Sequence, residues 1–369
     1  MRLLVSAGAS GGGIYPALAV LQALGDSPEE ILWVGGEKGM DTDLVTRAGV
    51  PFKAIPAAGL HGVGLKALSS LWKLTRGYFA ARKIIREFKP DVLFFTGGYV
   101  AIPTGLAGSK VPTVLCLPDI EPALALRTLA RQAALIAVPA EESKAYFPAG
   151  KRIEVVGYPT RPSMQPVPKQ EALAAFDLTS DRPTLMVTGG SLGALSINRA
   201  VLANLEELLS EIQVIHLTGE ATWPEVAAAQ EKLAPDLAKY YRPYAFLHER
   251  MKAAFSAADL VVSRAGASTL GELPTFGVPA ILVPYPHAWR YQKVNADYLA
   301  SRGAAVIAAD ETLDEHLLPL VRELMIEDPE KRTQMQAAMQ SLAVPDAAKK
   351  IADFLQEMAE SAKKEVGNG

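Results

Sequence analysis

Residues 263–299 read SRAGASTLGELPTFGVPAILVPYPHAWRYQKVNADYL and contain the pattern of one βαβ unit. An apolar run that ends at Ser263 predicts one buried strand, and residues 279–284 predict a second. The turn between them, residues 264–269, consists mostly of small residues and opens a helix. Small side chains let a ligand approach the backbone, and a helix N-terminus offers unpaired N–H groups, so this turn is typical of a phosphate site. Glu272, which follows on the same helix, is suited to bind a ribose diol.

The two halves of the chain begin alike, each with a strand, a glycine loop and a helix, at residues 6–18 and 188–198. Between them, residues 157–183 concentrate prolines and turn residues and interrupt the alternation of strands and helices. We therefore predict an α/β protein with two Rossmann-like, doubly wound parallel sheets that face each other across a cleft. The predicted parts are an N-terminal domain over 1–160, a C-terminal domain over 161–345, and a helix and tail over 346–369 that packs back on the N-terminal domain.

Further apolar runs predict other strands of these sheets. They are Leu3–Ser6, Ile31–Val34, Val92–Phe95, Thr113–Cys116, Leu135–Val138, Thr184–Val187 and Val214–Leu217. A helix over Pro16–Leu24 is expected after the first glycine loop, and an amphipathic helix is expected over Ala347–Glu365.

The composition limits the kinds of partner and site. The 369 residues carry a net charge of −3, so the overall charge does not favour a nucleic-acid partner. Cys116 is the single cysteine, which excludes an internal disulfide framework and cysteine-based metal clusters. We expect no signal peptide, and no run of about 20 apolar residues is present to cross a bilayer. These features favour a cytoplasmic α/β protein.

Residues 65–90 depart from this near-neutral composition. They carry seven Lys or Arg residues against one glutamate, with apolar and aromatic residues at roughly helical spacing. A basic amphipathic stretch with aromatic residues is suited to an anionic membrane surface. The alternative is an ordinary crossover helix whose lysines extend over the rim of the core.

The glycine loops alone leave a second chemistry open. Residues 8–13, GASGGG, follow the first strand and Glu37 follows the second, so the dinucleotide site of a nicotinamide or flavin enzyme stays an alternative. The second half, whose richest site is residues 264–272, gives this alternative no support. No G-x-x-x-x-G-K-[ST] motif occurs, which excludes hydrolysis of a nucleotide on a P-loop.

Five collinear motifs stand out along the chain. They are AGASGGGIYPALAV (7–20), FFTGGYVAIPTGLAG (94–108), VTGGSLGALSINRAV (187–201), SRAGASTLGELPTFGVPAILVP (263–284) and PHAWRYQKVNA (286–296). Together they resemble the MurG family of peptidoglycan glycosyltransferases, and the resemblance extends over about residues 2–345. The resemblance implies the two-domain GT-B fold. It also implies inverting transfer of N-acetylglucosamine from UDP-N-acetylglucosamine to a lipid-linked muramoyl-pentapeptide, converting lipid I to lipid II, with no cofactor and no metal.

The resemblance further implies which residues bind substrate. Glu272 would bind the ribose hydroxyls, Arg161 would pair with the nucleotide phosphates, and the backbone at Phe246 and Leu247 would read the uracil. The alternatives are a solvated helix residue for Glu272, a hinge ion pair for Arg161, and loop or cap hydrogen bonds for the residues assigned to the sugar. The remaining contacts are Gly190, Ser191, Arg264, Gly266, Ala267, Ser268 and Thr269 for the diphosphate, His287, Gln292 and Asn295 for the sugar, and Ser10, Gly11, Gly12 and Tyr99 in the N-terminal half.

Departures from the family lie mainly in the N-terminal half. Gly13 stands where the family has a loop histidine, and a glycine cannot transfer a proton. Residues 116–119 replace the family's HEQN, and Leu192 replaces the glutamine of GGSQGA. Asp119 is the remaining candidate for the base that deprotonates the acceptor hydroxyl, with a loop or N-cap role as its alternative. His61 is a further candidate contact to the acceptor.

The resemblance therefore predicts a peripheral enzyme at the cytoplasmic face of the cell membrane. Backbone donors, a helix N-terminus and Arg161 would stabilise the leaving UDP in place of a metal, and we expect no Asp-x-Asp pair after a strand. Two other functions stay open. One is a related transferase that glycosylates another polyprenyl or glycerolipid acceptor, and the other is a non-catalytic scaffold that binds a UDP-sugar at the membrane.

Overall fold

The computed structural model describes residues 1–8, 11–37, 41–57, 65–190, 193–287 and 290–367, with the backbone alone for 65–71 and 365–367. The chain divides into two compact units. One comprises Met1–Pro162 together with Pro345–Gly369, and the other comprises Ser163–Val344.

The strands of the first unit are parallel and bury apolar residues on both faces. They are β1 (Arg2–Ser6), β2 (Glu30–Gly36), β3 (Phe52–Ile55), β4 (Val92–Phe95), β5 (Thr113–Cys116), β6 (Leu135–Val138) and β7 (Ile153–Val155). Among the described residues they form one seven-stranded sheet in the order β3-β2-β1-β4-β5-β6-β7. Leu3 and Val5 enter the core on one face and Leu4 the core on the other, as alternation along a strand requires. The order of the strands reverses between β1 and β4, so the loops after these strands flank the switch point, where such sheets bind ligands.

Helices cover both faces of this sheet. They are α1 (Gly11–Leu24), α2 (Asp41–Arg47), α3 (Leu65–Phe88), α4 (Ala101–Ala107) and α5 (Leu124–Leu129), with a 3-10 helix over Glu141–Tyr146.

The second unit repeats this architecture. Its strands are β8 (Thr184–Thr188), β9 (Gln213–Leu217), β10 (Tyr241–Tyr244), β11 (Leu260–Ser263), β12 (Ala280–Leu282) and β13 (Ala305–Ile307). In the described part of the chain they form a six-stranded parallel sheet in the order β10-β9-β8-β11-β12-β13. Its switch point therefore lies between β8 and β11.

The helices of the second unit are mostly short. They are α6 (Lys169–Ala174), α7 (Leu195–Ala203), α8 (Leu205–Glu211), α9 (Trp223–Gln230), α10 (Pro235–Ala238), α11 (Met251–Ala257), α12 (Thr269–Phe276), α13 (Tyr291–Ala300), α14 (Leu313–Arg322) and α15 (Pro329–Ser341). Single turns of 3-10 helix span Glu220–Thr222, His248–Arg250 and Asp310–Thr312, and a π-helical turn spans Glu323–Glu327. Helix α12 ends at Gly277, whose φ of 62° is the left-handed conformation that closes many helices.

The last helix, α16 (Ala347–Gly367), returns to the first unit. Ile351 and Leu355 are fully buried in the same core as residues of α1. Arg152, just before β7, donates to the carboxylate of Glu357 at 2.7 and 3.1 Å. The helix is therefore held to the first unit by apolar packing and by an ion pair.

The predicted fold class, two Rossmann-like α/β domains with parallel sheets, is confirmed. The sequence pattern missed β3, β7, β10 and β13, which are the four edge strands of the two sheets. Edge strands are short and partly exposed, so they lack the continuous apolar run of a central strand. The prediction for α1 was also wrong at its start, because the helix begins at Gly11 and includes glycines that were expected in the loop.

Candidate active site

In the second unit, the turn after β11 presents unpaired backbone donors. It begins at Arg264 and leads into α12, where Thr269 N–H already donates to the Gly266 carbonyl at 3.0 Å. The N–H groups of Gly266, Ala267 and Ser268 have no acceptor within the described residues. A Cβ on Gly266 would meet no atom within 4 Å, so the space in front of this backbone is open. Such a set of N–H groups at the start of a helix can bind an anion.

Side chains on α12 and α13 surround this turn. Glu272 is half-buried on α12. Thr269 Oγ1 donates to the Gly266 carbonyl at 2.6 Å, and the fully buried Asn295 donates from Nδ2 to the Ala265 carbonyl at 3.2 Å. The threonine and asparagine side chains therefore hold the backbone of the turn. The ribose contact of Glu272, the diphosphate contact of Thr269 and the sugar contact of Asn295 stay predictions.

The guanidinium of Arg264 is engaged with partners inside the second unit. It pairs with the Asp310 carboxylate, and it donates to Ser196 Oγ at 2.8 Å and to the Val283 carbonyl at 3.2 Å. The ring of Tyr285 lies 5.1 Å from its central carbon. A diphosphate contact from this side chain stays a prediction, and it would have to compete with these partners.

The glycine loop after β8 contributes the other side of the switch point. Gly190 is exposed, with a φ of 78°. Gly193 has a φ of 75°, and a Cβ on it would collide with the Thr218 carbonyl oxygen at the end of β9. Only glycine fits this position, because both the left-handed backbone and the close approach exclude a side chain. The predicted contact Ser191 and the variant position Leu192 lie outside the described residues.

A buried chain of hydrogen bonds fixes α7, the helix that follows this loop. His216 Nδ1 lies 2.8 Å from Tyr241 Oη and its Nε2 lies 3.0 Å from Asn198 Oδ1, while Asn198 Nδ2 donates to the Thr218 carbonyl at 2.8 Å. Burial lowers the pKa of His216 to about 3, so the ring is neutral. Because Asn198 Oδ1 can only accept, Nε2 carries the proton and Nδ1 accepts from Tyr241. Sequence reasoning missed this network, because its members lie on three separate elements, α7, β9 and β10.

The segments after β12 and β10, including the first turn of α13, carry residues expected to bind sugar and uracil. Gln292 accepts the Tyr285 N–H with Oε1 at 2.8 Å, and its NH₂ group donates to no acceptor among the described residues. His287 is exposed and meets the Tyr285 ring edge-on at 5.4 Å. Phe246 is 39% exposed whereas Leu247 is buried. Gln292, His287 and Phe246 are thus accessible to a ligand, and their contacts stay predictions.

At the switch point of the first unit, the position of the family histidine is packed against backbone. Gly11 and Gly12 open α1, and a Cβ on Gly13 would lie 2.9 Å from the Gly8 nitrogen, closer than real Cβ atoms approach. Thr96 Oγ1 also donates to the Gly13 carbonyl at 2.6 Å. The glycine therefore belongs to a close contact between the loop after β1, α1 and the loop after β4.

Other residues predicted for the N-terminal half are only partly described. Asp119 follows β5 and is half-buried. Tyr99 is half-buried beside the end of β2, with Oη 3.4 Å from where a Cβ on Gly36 would lie. Ser10 and His61 lie outside the described residues. The roles of all four stay predictions.

An ion pair near Asp119 was missed by sequence reasoning. Glu121 is only 3% exposed, and its carboxylate accepts from Arg127 Nη2 at 2.9 Å. The residues around Glu121 form a proline-containing loop of a kind that is usually solvated, so a buried acid was not predicted there. Cys116, at the end of β5, is fully buried, and burial raises the pKa of its thiol to about 12.

Arg161 belongs to the first unit. Its guanidinium lies 5.0 Å from the centre of the Tyr15 ring on α1, and it makes no ion pair with a described carboxylate. Its pairing with nucleotide phosphates stays a prediction.

No three described His, Cys, Asp or Glu side chains are grouped to hold a metal ion. Asp41 and Asp43 form an Asp-x-Asp pair in the first turn of α2, the helix after β2, so the expectation that no such pair follows a strand was wrong. The buried Asp41 carboxylate accepts the Gly36 N–H at 3.3 Å.

One face of α3 presents aromatic and basic side chains to solvent. Trp72 and Phe79 are 64% and 61% exposed. Arg76, Lys83 and Arg86 are also exposed and follow on the same face at helical spacing. We call these five residues the α3 stripe. Over the described residues, no helix is both long and apolar enough to cross a membrane.

Comparison with known proteins assigns the chain to a family. Models of the N-terminal and C-terminal domains of glycosyltransferase family 28 match residues 3–138 and 184–351. The UDP-N-acetylglucosamine–N-acetylmuramyl-(pentapeptide) pyrophosphoryl-undecaprenol N-acetylglucosamine transferase of Desulforamulus reducens is 38% identical and covers 95% of this chain and 97% of its own. The transferase of the same name from Bacillus licheniformis is 34% identical, and the match covers 98% of this chain and 100% of the relative.

The crystal structure of MurG from Acinetobacter baumannii superimposes with a TM-score of 0.77 at 27% identity, covering 96% of this chain and 99% of that one. The chain belongs to the MurG family. The resemblance predicted from the five motifs is thus confirmed. A glycosyltransferase of kitacinnamycin shares the MurG fold at 13% identity and a TM-score of 0.68, which is a likeness of fold alone. The departures from the MurG pattern at Gly13 and residues 116–119 stay predictions from the resemblance.

Proposed function

We propose that the protein transfers N-acetylglucosamine from UDP-N-acetylglucosamine to a lipid-linked N-acetylmuramoyl-pentapeptide, the conversion of lipid I to lipid II. The observation that carries this proposal is the turn after β11 in a chain of the MurG family. This turn lies at the switch point of a Rossmann-like sheet. It has N–H groups at residues 266–268 without an acceptor among the described residues, and Glu272 follows on α12. This arrangement suits a nucleoside diphosphate, with the phosphates on the N–H groups and the ribose on the carboxylate.

The chemistry proposed for the donor side is stabilisation of the leaving group. As the acceptor hydroxyl attacks the anomeric carbon on the face opposite UDP, negative charge grows on the diphosphate and the anomeric configuration inverts. Preorganised N–H groups at residues 266–268 would meet that charge without having to reorient. These donors supply the stabilisation that a metal ion provides in other transferases, so we propose that transfer is metal-independent.

On the acceptor side we propose Asp119 as the base. A side chain at Gly13, in place of the family histidine, would bring its Cβ within 2.9 Å of the Gly8 nitrogen and force this backbone to shift. Asp119 follows the carboxyl end of β5, two strands from β1 in the same sheet, and its side chain is partly accessible. A carboxylate can accept the proton of the acceptor hydroxyl as the bond to the anomeric carbon forms.

We also propose that the α3 stripe contacts an anionic membrane surface and makes the protein peripheral to the cytoplasmic face of the membrane. Exposed tryptophan and phenylalanine side chains can enter the headgroup region, and the neighbouring arginine and lysine side chains attract anionic lipids. The protein would then encounter its lipid-linked acceptor at the membrane surface.

The proposal is tested by incubating the purified protein with radiolabelled UDP-N-acetylglucosamine and a lipid-linked muramoyl-pentapeptide, with EDTA present. We expect a labelled lipid product with inverted anomeric configuration, determined by NMR. Release of UDP together with free N-acetylglucosamine would show transfer to water, as expected of an enzyme whose acceptor is a different lipid, and donor that binds without reacting would point to a scaffold. Either result would contradict the proposed function, and loss of product on adding EDTA would contradict metal independence.

A further inference from the structure

One partly buried cation connects the start of α7 with the segments after β11, β12 and β13 in the second unit. Arg264 directly follows β11, and its side chain is only 11% exposed. Its partners are Ser196 at the start of α7, Val283 and Tyr285 after β12, and Asp310 after β13.

The cluster is closed, because each polar partner is itself engaged. Ser196 Oγ accepts from Arg264 at 2.8 Å and donates its own proton to Asp310 Oδ1 at 2.6 Å. The Asp310 side chain is 16% exposed and receives both the guanidinium and the hydroxyl. The serine thus bridges the ion pair, and its position in α7 is fixed by two hydrogen bonds of opposite direction.

These partners lie at the margins of the candidate donor site. Ser196 follows the glycine loop of residues 189–193, and Arg264 immediately precedes the turn of residues 265–268. Tyr285 gives its N–H to Gln292, one of the residues predicted to bind the sugar. A shift of the guanidinium would therefore displace the loops after β8 and β11, and also the segment after β12 that contacts Gln292.

We propose that Arg264, Ser196 and Asp310 form a clamp that positions the two donor-phosphate loops, so that Arg264 acts through the backbone it holds. The clamp rests on the proposed function, since it presupposes that these loops receive a UDP-sugar. A buried ion pair gives little net stability, because the cost of desolvation offsets the attraction between the charges. Its effect on geometry is large by comparison, because two fixed hydrogen bonds and a charge pair permit few arrangements.

The test compares Asp310→Asn with Glu211→Gln as its matched control. Glu211 pairs with Arg322 at 2.9 Å in the same unit, but it lies at the end of α8, away from the carboxyl ends of the strands. Binding of UDP and of uridine is measured by calorimetry or NMR titration, together with thermal unfolding and the KM and kcat for UDP-N-acetylglucosamine. Uridine serves as the probe that lacks phosphates.

We expect Asp310→Asn to weaken UDP binding by about 10- to 100-fold, the usual effect of losing a side chain that orients a binding group. Uridine affinity should stay that of the wild type, and KM should rise together with a fall in kcat. Glu211→Gln should change none of these values. Equal losses for UDP and uridine, or no loss for UDP, would overturn the clamp.

Ser196→Ala gives a second, independent variant should Asp310→Asn fail to fold. It removes the bridging hydroxyl and leaves the ion pair in place, so the same selective loss of UDP affinity is expected. A wild-type protein that binds no UDP would overturn the proposed function itself, and the role of the clamp with it. Transfer by the wild type combined with wild-type UDP affinity in both variants would overturn the clamp alone.

Discussion

At the scale of single residues, the candidate donor site divides its work between backbone and side chains. The N–H groups at residues 266–268 have no acceptor among the described residues, and a side-chain substitution does not remove them. Glu272 is the carboxylate on α12 that faces the ribose in our proposal, so it is the residue whose removal tests the donor site most simply.

Replacing Glu272 by alanine should weaken UDP binding with little effect on folding. Loss of a hydrogen bond to a charged group costs about 1.5–3 kcal/mol, or a factor of about 10 to 150 in Kd. Calorimetric titration with UDP measures the loss, and thermal unfolding checks the fold. Glu330→Ala removes an exposed carboxylate on α15 and serves as the control. Unchanged UDP affinity in Glu272→Ala would remove the ribose assignment.

His216 should make the second unit sensitive to acid. The buried ring binds a proton only near pH 3, whereas in the unfolded chain it does so near pH 6.5. Between these values the unfolded state binds more protons, so the free energy of unfolding falls as the pH drops from 6.5 towards 3, by up to about 1.4 kcal/mol per pH unit. Urea unfolding of wild type and His216→Gln across this range measures the difference. Equal pH dependence in both proteins would contradict the prediction.

At the scale of secondary-structure elements, the close contact at Gly13 decides whether a loop histidine could be restored. The contact joins α1 to the loops after β1 and β4, and a new Cβ would meet backbone atoms that would have to shift. Glycine at position 13, where the family has a histidine, therefore allows these elements to pack closely in the first unit.

Gly13→His should therefore destabilise the first unit without raising turnover. Overpacking of this kind costs about 1–3 kcal/mol. Gly13→Ala is the matched control, because it adds the Cβ without the imidazole and should lose a similar amount of stability in urea. Higher turnover in Gly13→His at unchanged stability would show that the position accepts a catalytic side chain after all.

The α3 stripe makes a prediction about a whole helix face. The double variant Arg76→Glu with Arg86→Glu should bind anionic vesicles more weakly, because each basic side chain near such a surface contributes about 1 kcal/mol. Lys350→Glu with Lys364→Glu on α16 changes the net charge equally and is the control. Vesicle co-sedimentation measures both. Equal binding of the two double variants would favour an ordinary crossover helix.

The elements that could be predicted from the sequence are those whose apolar runs are long. Central strands such as β4, β5 and β6 were predicted with the bounds that the structure has. The edge strand β3 contains Lys53 between apolar residues and is partly exposed, and β10 contains Arg242 and a proline. Pairing on one side only allows such polar residues, so the sequence pattern is weak where the sheet ends.

At the scale of the whole molecule, the repeated pattern of strand, glycine loop and helix predicted two similar units. In the structure, the strand before each glycine loop lies at the switch point of its own sheet. Contacts between distant segments could not be predicted in this way. Ser196 and Asp310 are 114 residues apart, and His216 on β9 contacts Asn198 on α7. A single sequence carries periodicity and turn chemistry, but it does not show which polar side chains become partners once the core has formed.

The central claim is that the second unit holds a uridine diphosphate at the turn after β11. A crystal structure of the protein grown with UDP tests it most directly. We predict that the diphosphate oxygens accept from the N–H groups of residues 266–268 and that the ribose hydroxyls contact Glu272. UDP bound at the glycine loop of the first unit, or found nowhere in the crystal at saturating concentration, would contradict the account.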